Sequence, residues 1–235
     1  MKISLPDIRF LSFSAFASFG TYFCMYAFRK PFTVATFENL DFIGVDYKIL
    51  LILSQVLGYM VSKFIGIKLI SELKANRRLG YLIGMILLAE IGLVAFGIVP
   101  APYNIVFMFI NGLSLGMIWG IVFSYLEGRK FTEILGVALC SSFIVSSGAV
   151  LSVGLLILNE MQFSENWMPA VTGAFFLIPF LSFALLLERI PRPTKRDIAL
   201  RSERKPMTKE DRKKLVRSFF LPIVLLVFFY TCLTA

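Results

Sequence analysis

Histidine is absent from all 235 residues. Its absence excludes His-ligated metal sites, histidine general bases and Ser–His triads. Cysteine is scarce: Cys24, Cys140 and Cys232 stand alone inside apolar stretches with no CxxC or other ligand spacing, so they read as small embedded side chains. Charge is also sparse, with 17% of residues charged and 57% hydrophobic, and the mean hydropathy is +0.79. A water-soluble chain of this size needs far more polar material to cover its surface. Lys2 and Arg9 precede the first apolar stretch, but no convincing small-residue cleavage site follows it, so that stretch is expected to stay as a span. No catalytic constellation or cofactor motif is present, so neither an enzyme nor a cofactor is expected.

The net charge is +9, and the location of the bases decides what it means. They fall in short loops between apolar runs, which speaks for a bilayer rather than a nucleic acid as the partner. A span needs about 20 mostly apolar residues. Seven stretches qualify, at roughly 10 to 37, 48 to 67, 79 to 98, 103 to 126, 134 to 157, 169 to 187 and 218 to 235, the last ending with the chain. Lys68, Lys74, Arg77 and Arg78 follow the second, Arg129 and Lys130 the fourth, and a strongly basic stretch the sixth; the opposite loops carry Glu38, Asp41, Asp46, Glu160 and Glu165. This asymmetry predicts a multi-pass protein of the cytoplasmic (inner) membrane with its N-terminus inside the cell. Residues 188–217 hold twelve Lys or Arg and are expected to form a solvated cytoplasmic linker. The expected fold is therefore all-α: a six-helix bundle over 1–187, the linker, and over 218–235 the first span of a second half that is expected to be missing.

An embedded charge costs roughly 2.5 to 3.5 kcal/mol on insertion scales, so each one needs a reason. Arg29, Lys30, Lys63 and Glu90 fall inside apolar stretches. If the first span ended at Phe28, Arg29 and Lys30 would lie on the outer side against the bias of every other loop; a long span to Phe37 with the pair buried inside it is the expectation. At 3.6 residues per turn Tyr22, Tyr26, Arg29, Lys30 and Thr33 lie close to one face, and Pro31 disturbs the turn before it. Gln55, Tyr59 and Lys63, spaced by four, share a face of the second span. Three cations and several phenols aimed at one cavity point to an anionic ligand, arginine supplying a fork for phosphate or carboxylate and lysine a point charge. The competing explanation is neutralisation by protein carboxylates, with Glu90 the obvious donor of negative charge. Gly112, Gly116 and Gly120 form a GxxxGxxxG ridge for close helix approach. Ser141, Ser142, Ser146, Ser147 and Gly148 in the fifth span are likewise assigned to helix contact.

Three pieces of the chain resemble the N-terminal half of the major facilitator superfamily, most closely its organophosphate:phosphate antiporter branch or a side branch of it. The stretch Tyr26-Ala27-Phe28-Arg29-Lys30-Pro31-Phe32 is similar to that branch's first-span Arg-Lys-x-Phe motif. Gly58-Tyr59-Met60-Val61-Ser62-Lys63-Phe64 resembles its Tyr-Gly-x-Ser-Lys-Phe segment, and Gly116-Met117-Ile118-Trp119 its Gly-Met-Gly-Trp run. The resemblance implies a phosphate-binding role for Arg29 with Lys30 and Lys63 in support. The chain departs from that branch in lacking the Asp-Arg pair after the second span, and Val145 or Ser146 stands where the branch has a histidine.

A secondary transporter of a small organic anion, working by alternating access, is the leading expectation. Arg29, Lys30, Lys63, Tyr22, Tyr26, Tyr59 and Gln55 would form the substrate site, and Glu90 is a coupling candidate. Two alternatives stand beside it: a membrane sensor on a transporter scaffold, and an inactive fragment.

Overall fold

The computed structural model describes residues 5–38, 40–42, 44–129, 131–191, 209–222 and 224–225. Lys2, Lys130, Cys232, most of the basic stretch and the seventh apolar run from residue 226 onward lie outside the described residues. Two units are distinguished, Met1–Ile198 and Ala199–Ala235.

The first unit is a helical bundle: α1 (Leu5–Met25), α2 (Tyr47–Glu72), α3 (Arg78–Ile98), α4 (Ile105–Leu115), α5 (Ile118–Leu126), α6 (Thr132–Asn159) and α7 (Met168–Glu188). Among the described residues five segments are long and apolar enough to cross a bilayer: Tyr47–Glu72, Ala75–Ile98, Ile105–Leu126, Thr132–Asn159 and Met168–Glu188. Each matches an expected span with slightly different ends. The largest extension is in α2, which carries its helix past Ile67 to include Lys68 and Glu72. Asp46 starts that helix by accepting the backbone N–H of Lys48 at 2.7 Å.

The first span departs from expectation. Its α-helix ends at Met25, and the chain continues through two 3₁₀ turns, Tyr26–Phe28 and Pro31–Val34, before becoming extended at Ala35. Arg29 and Lys30 lie half-buried in the break between these turns, rather than inside a continuous helix to Phe37. The reason is local. Pro31 has no N–H to give the carbonyl four residues back. The Tyr26 carbonyl instead accepts from both Arg29 and Lys30, each at 3.0 Å. A short hairpin follows, with strands β1 (Asp41–Phe42) and β2 (Val45–Asp46) paired antiparallel.

Helix α1 packs on α6 and α7, α2 on α4, and α3 on α4 and α7. The glycine ridge acts as expected. A Cβ at Gly112 would stand 2.1 Å from the Gln55 carbonyl oxygen, and one at Gly58 would stand 2.1 Å from that of Phe109, so α2 and α4 approach backbone to backbone. The serines expected to serve helix contact spend their hydroxyls locally: Ser142 bonds the Leu139 carbonyl at 2.6 Å and Ser146 that of Phe143 at 3.3 Å. Cys24 is buried and Cys140 exposed, both as free thiols.

In the second unit the end of the basic stretch forms a helix, α8 (Lys209–Ser218), with Glu210, Lys213, Lys214 and Arg217 exposed. That segment of the expected linker is therefore regular structure.

Candidate functional site

The break in the first span leaves backbone groups without helical partners inside an apolar bundle, where each must find one. Two side-chain amides supply the missing donors. Asn111 of α4 donates to the Phe28 carbonyl at 3.0 Å and to the Ala89 carbonyl of α3 at 3.2 Å. Gln55 of α2 donates to the Arg29 carbonyl at 3.1 Å and to the Asn111 Oδ1 at 2.8 Å. Farther along, Glu165 serves the opposite need. Its carboxylate accepts the N–H of Thr36 at 2.8 Å, the Thr36 hydroxyl at 3.0 Å and the N–H of Phe37 at 2.9 Å. Donors at the start and an acceptor at the end thus hold residues 28 to 37 in one path.

With its main chain fixed this way, Arg29 lays its guanidinium over the Tyr59 ring, 4.5 Å from the centroid. The Lys63 ammonium stands 5.0 Å from the same centroid. Such cation–π contacts contribute roughly 0.5 to 2 kcal/mol, too little alone to offset an embedded charge. The two charges are at most 9.5 Å apart, the sum of the two distances. At an effective dielectric constant of 20 they repel by about 2 kcal/mol or more. No described carboxylate pairs with Arg29, Lys30 or Lys63. A bound anion close to both would offset that repulsion.

Tyr22 lies within electrostatic reach of Tyr59 and Arg29. The Tyr22 ring stacks edge-on to Tyr26 at 5.7 Å, and Phe143 of α6 closes the cluster at 4.7 Å from Tyr22 and 6.0 Å from Tyr26. A 3₁₀ turn eclipses residues three apart, so the break itself places Arg29 beside Tyr26. The structure therefore brings together Arg29, Lys63, Tyr22, Tyr26 and Tyr59 from the expected site. Gln55 joins through its amide, which donates to the Arg29 carbonyl and to the Asn111 Oδ1. Lys30 is adjacent in the chain, and its side chain has no partner among the described residues.

Glu90 stands elsewhere. Its Oε2 is enclosed without a hydrogen bond, and a Cβ at Gly173 of α7 would lie 2.0 Å from that oxygen and 3.2 Å from the Phe28 ring. Gly173 therefore makes the room for the carboxyl. Because Glu90 and Lys63 form no pair, Glu90→Gln and Lys63→Met should act independently. Their effects on thermal stability should add within about 0.5 kcal/mol, whereas rescue of either single variant by the double would establish an ion pair.

Three participants escaped the sequence: Asn111, Phe143 and Glu165. Asn111 carried a signal, being a polar amide in the middle of an apolar run.

Stacked apolar helices around a broken first segment, five of them among the described residues long and apolar enough to cross a bilayer, define an all-α polytopic membrane protein, with Arg29 and Lys30 half-buried and Lys63 exposed. The chain belongs to a family of unknown function, DUF5690, whose profile matches residues 31–235. No curated protein and no solved structure matches it.

Proposed function

We propose that this chain is a secondary transporter of a small organic anion, an organic phosphate or carboxylate, operating by alternating access. One observation carries this reading: two cations from different segments converge on a single phenol ring with no described carboxylate to neutralise either. Arg29 grips the anion with its fork, Lys63 adds a point charge, and Lys30 lies within one residue of the grip. Tyr59 lies beneath both cations, and Tyr22 and Tyr26 pack beside it. The likeness of the Arg29-Lys30 and Ser62-Lys63-Phe64 pieces to major facilitator antiporters supports the same reading, with the bundle as that fold's N-terminal half. Glu90, isolated beside Phe28, is the coupling candidate.

Equilibrium binding of a panel of organic phosphates and carboxylates to the purified chain, followed by exchange of the binders in proteoliposomes, tests it. Saturable binding with counterflow is the expected result. Binding without flux would favour a sensor, and no binding of any panel member would defeat the proposal.

A further inference from the structure

A second cluster of cations lies away from the tyrosine site. At the junction of α2 and α3 a cleft of about 420 Å³ is lined by Ile65, Lys68, Leu69, Glu72, Leu73, Lys74, Arg77 and Tyr81. Lys68, Lys74 and Arg77 face one carboxylate, Glu72, and form no ion pair with it. The helix ends do not account for this excess of positive charge. Helix α2 finishes and α3 begins at the cleft, so their terminal half-charges oppose one another. Three unneutralised cations around a concavity favour an anion there.

The apolar part of the lining narrows the choice of anion. Ile65 and Leu69 belong to the membrane-spanning helix α2, and next to them on the same helix Phe64 and Ile67 are 69% and 72% exposed. Side chains this apolar and this open belong against acyl chains. The cleft thus has a cationic rim at the end of a span and an apolar flank running along that span. Tyr81, with a polar tip on an aromatic body, is the residue type enriched at that level of a bilayer. A soluble anion uses only the rim, whereas an anionic phospholipid uses both rim and flank.

We propose that this cleft binds the headgroup of an anionic phospholipid, with Lys68, Lys74 and Arg77 on the phosphate and the α2 face at Phe64, Ile65 and Ile67 along the acyl chains. The site is separate from the Arg29–Lys63 cluster and does not depend on the transport proposal. Glu72 limits its affinity by repelling the same phosphate.

The test is native mass spectrometry of the full chain in detergent, titrated with phosphatidylglycerol or with phosphatidylcholine. Wild type should retain phosphatidylglycerol and release phosphatidylcholine. The triple variant Lys68→Gln, Lys74→Gln, Arg77→Gln should need on the order of a hundredfold more phosphatidylglycerol for equal occupancy, at roughly fivefold per cation. Glu72→Gln should tighten retention about fivefold by the same measure. A control with equal loss of charge, Lys213→Gln, Lys214→Gln, Arg217→Gln on α8, should leave retention near wild type. Equal loss in the control and the cleft variant would reduce the effect to diffuse attraction and overturn the proposal. Displacement of the lipid by millimolar glycerol phosphate or inorganic phosphate would also overturn it, since the rim alone would then be a soluble-anion site. Should the triple variant fail to accumulate, Glu72→Gln decides: unchanged retention there sinks the cleft.

Discussion

Arg29→Gln should abolish binding of organic phosphates and carboxylates while leaving insertion and folding intact. The guanidinium rests on the half-buried Tyr59 ring and has no carboxylate partner among the described residues, so deleting the charge breaks no internal ion pair. The loss falls on the ligand. Truncating one partner of a buried, hydrogen-bonded charge pair costs about 2 to 5 kcal/mol, which is a loss of affinity of about thirtyfold or more. Arg29→Lys should keep the charge and forfeit the fork, weakening binding about tenfold with the same ligand order. Lys48→Gln, an equal loss of charge at the start of α2, should not change affinity. Isothermal calorimetry or equilibrium dialysis on purified variants reads all three. If Arg29→Gln expresses normally and binds as wild type does, the arginine is only a flanking charge and the transporter reading loses its main support.

How far the site was legible follows from where its contacts come from. Tyr59 and Lys63 are one turn apart on a segment that is helical throughout, so periodicity put them on one face, whereas Arg29 and Lys30 lie past the end of α1 at Met25, where helical spacing did not fix their place. The glycine at 112 was readable from its spacing with Gly116 and Gly120, since small residues at helical spacing have few uses in a bilayer other than close approach, whereas its counterpart Gly58 on α2 showed itself only in the structure. What failed was the run from Phe32 to Phe37. Its hydropathy matches a span, yet Pro31 makes it a 3₁₀ turn followed by extended chain, and hydropathy does not distinguish these backbones. Glu165 reads as an ordinary outer-loop acid because its partners, Thr36 and Phe37, are 128 or more residues away. No local pattern signals a carboxylate that caps a distant backbone. Phe143 was indistinguishable from a lipid-facing aromatic until α6 was seen against α1.

The amide pair beneath Arg29 sets the second large effect. Asn111 is wholly enclosed, and Asn111→Leu, close in volume, strands the Phe28 carbonyl and one Gln55 N–H in an apolar interior, while the Ala89 carbonyl keeps its partner within α3. Buried groups left unpaired cost about 1 to 3 kcal/mol each, while hydrogen bonds between membrane helices average about 0.6 kcal/mol where the reference state finds other partners. For two groups the loss is therefore bracketed between about 1 and 6 kcal/mol, a large share of the total stability of a typical fold. Asn111→Leu should accordingly lower the yield of monodisperse protein and its melting temperature. Asn111→Asp should do no better, because it keeps the acceptor for Gln55 but replaces both donors with a charge that faces two carbonyl oxygens. Gln55→Leu separates stability from function. It strands the Arg29 carbonyl and the Asn111 acceptor, yet leaves the bonds from Asn111 to α3 and to Phe28 in place. That variant should fold with a modest drop in melting temperature and still lose about tenfold in anion affinity, since the guanidinium over Tyr59 no longer has a fixed main chain beneath it. Size-exclusion profiles and thermal melts in detergent read the first effect, and the binding assay used for Arg29 reads the second. Full anion affinity in well-folded Gln55→Leu would mean that the break positions nothing, and an unchanged melt for Asn111→Leu would mean that water or a rearranged chain satisfies the carbonyls instead.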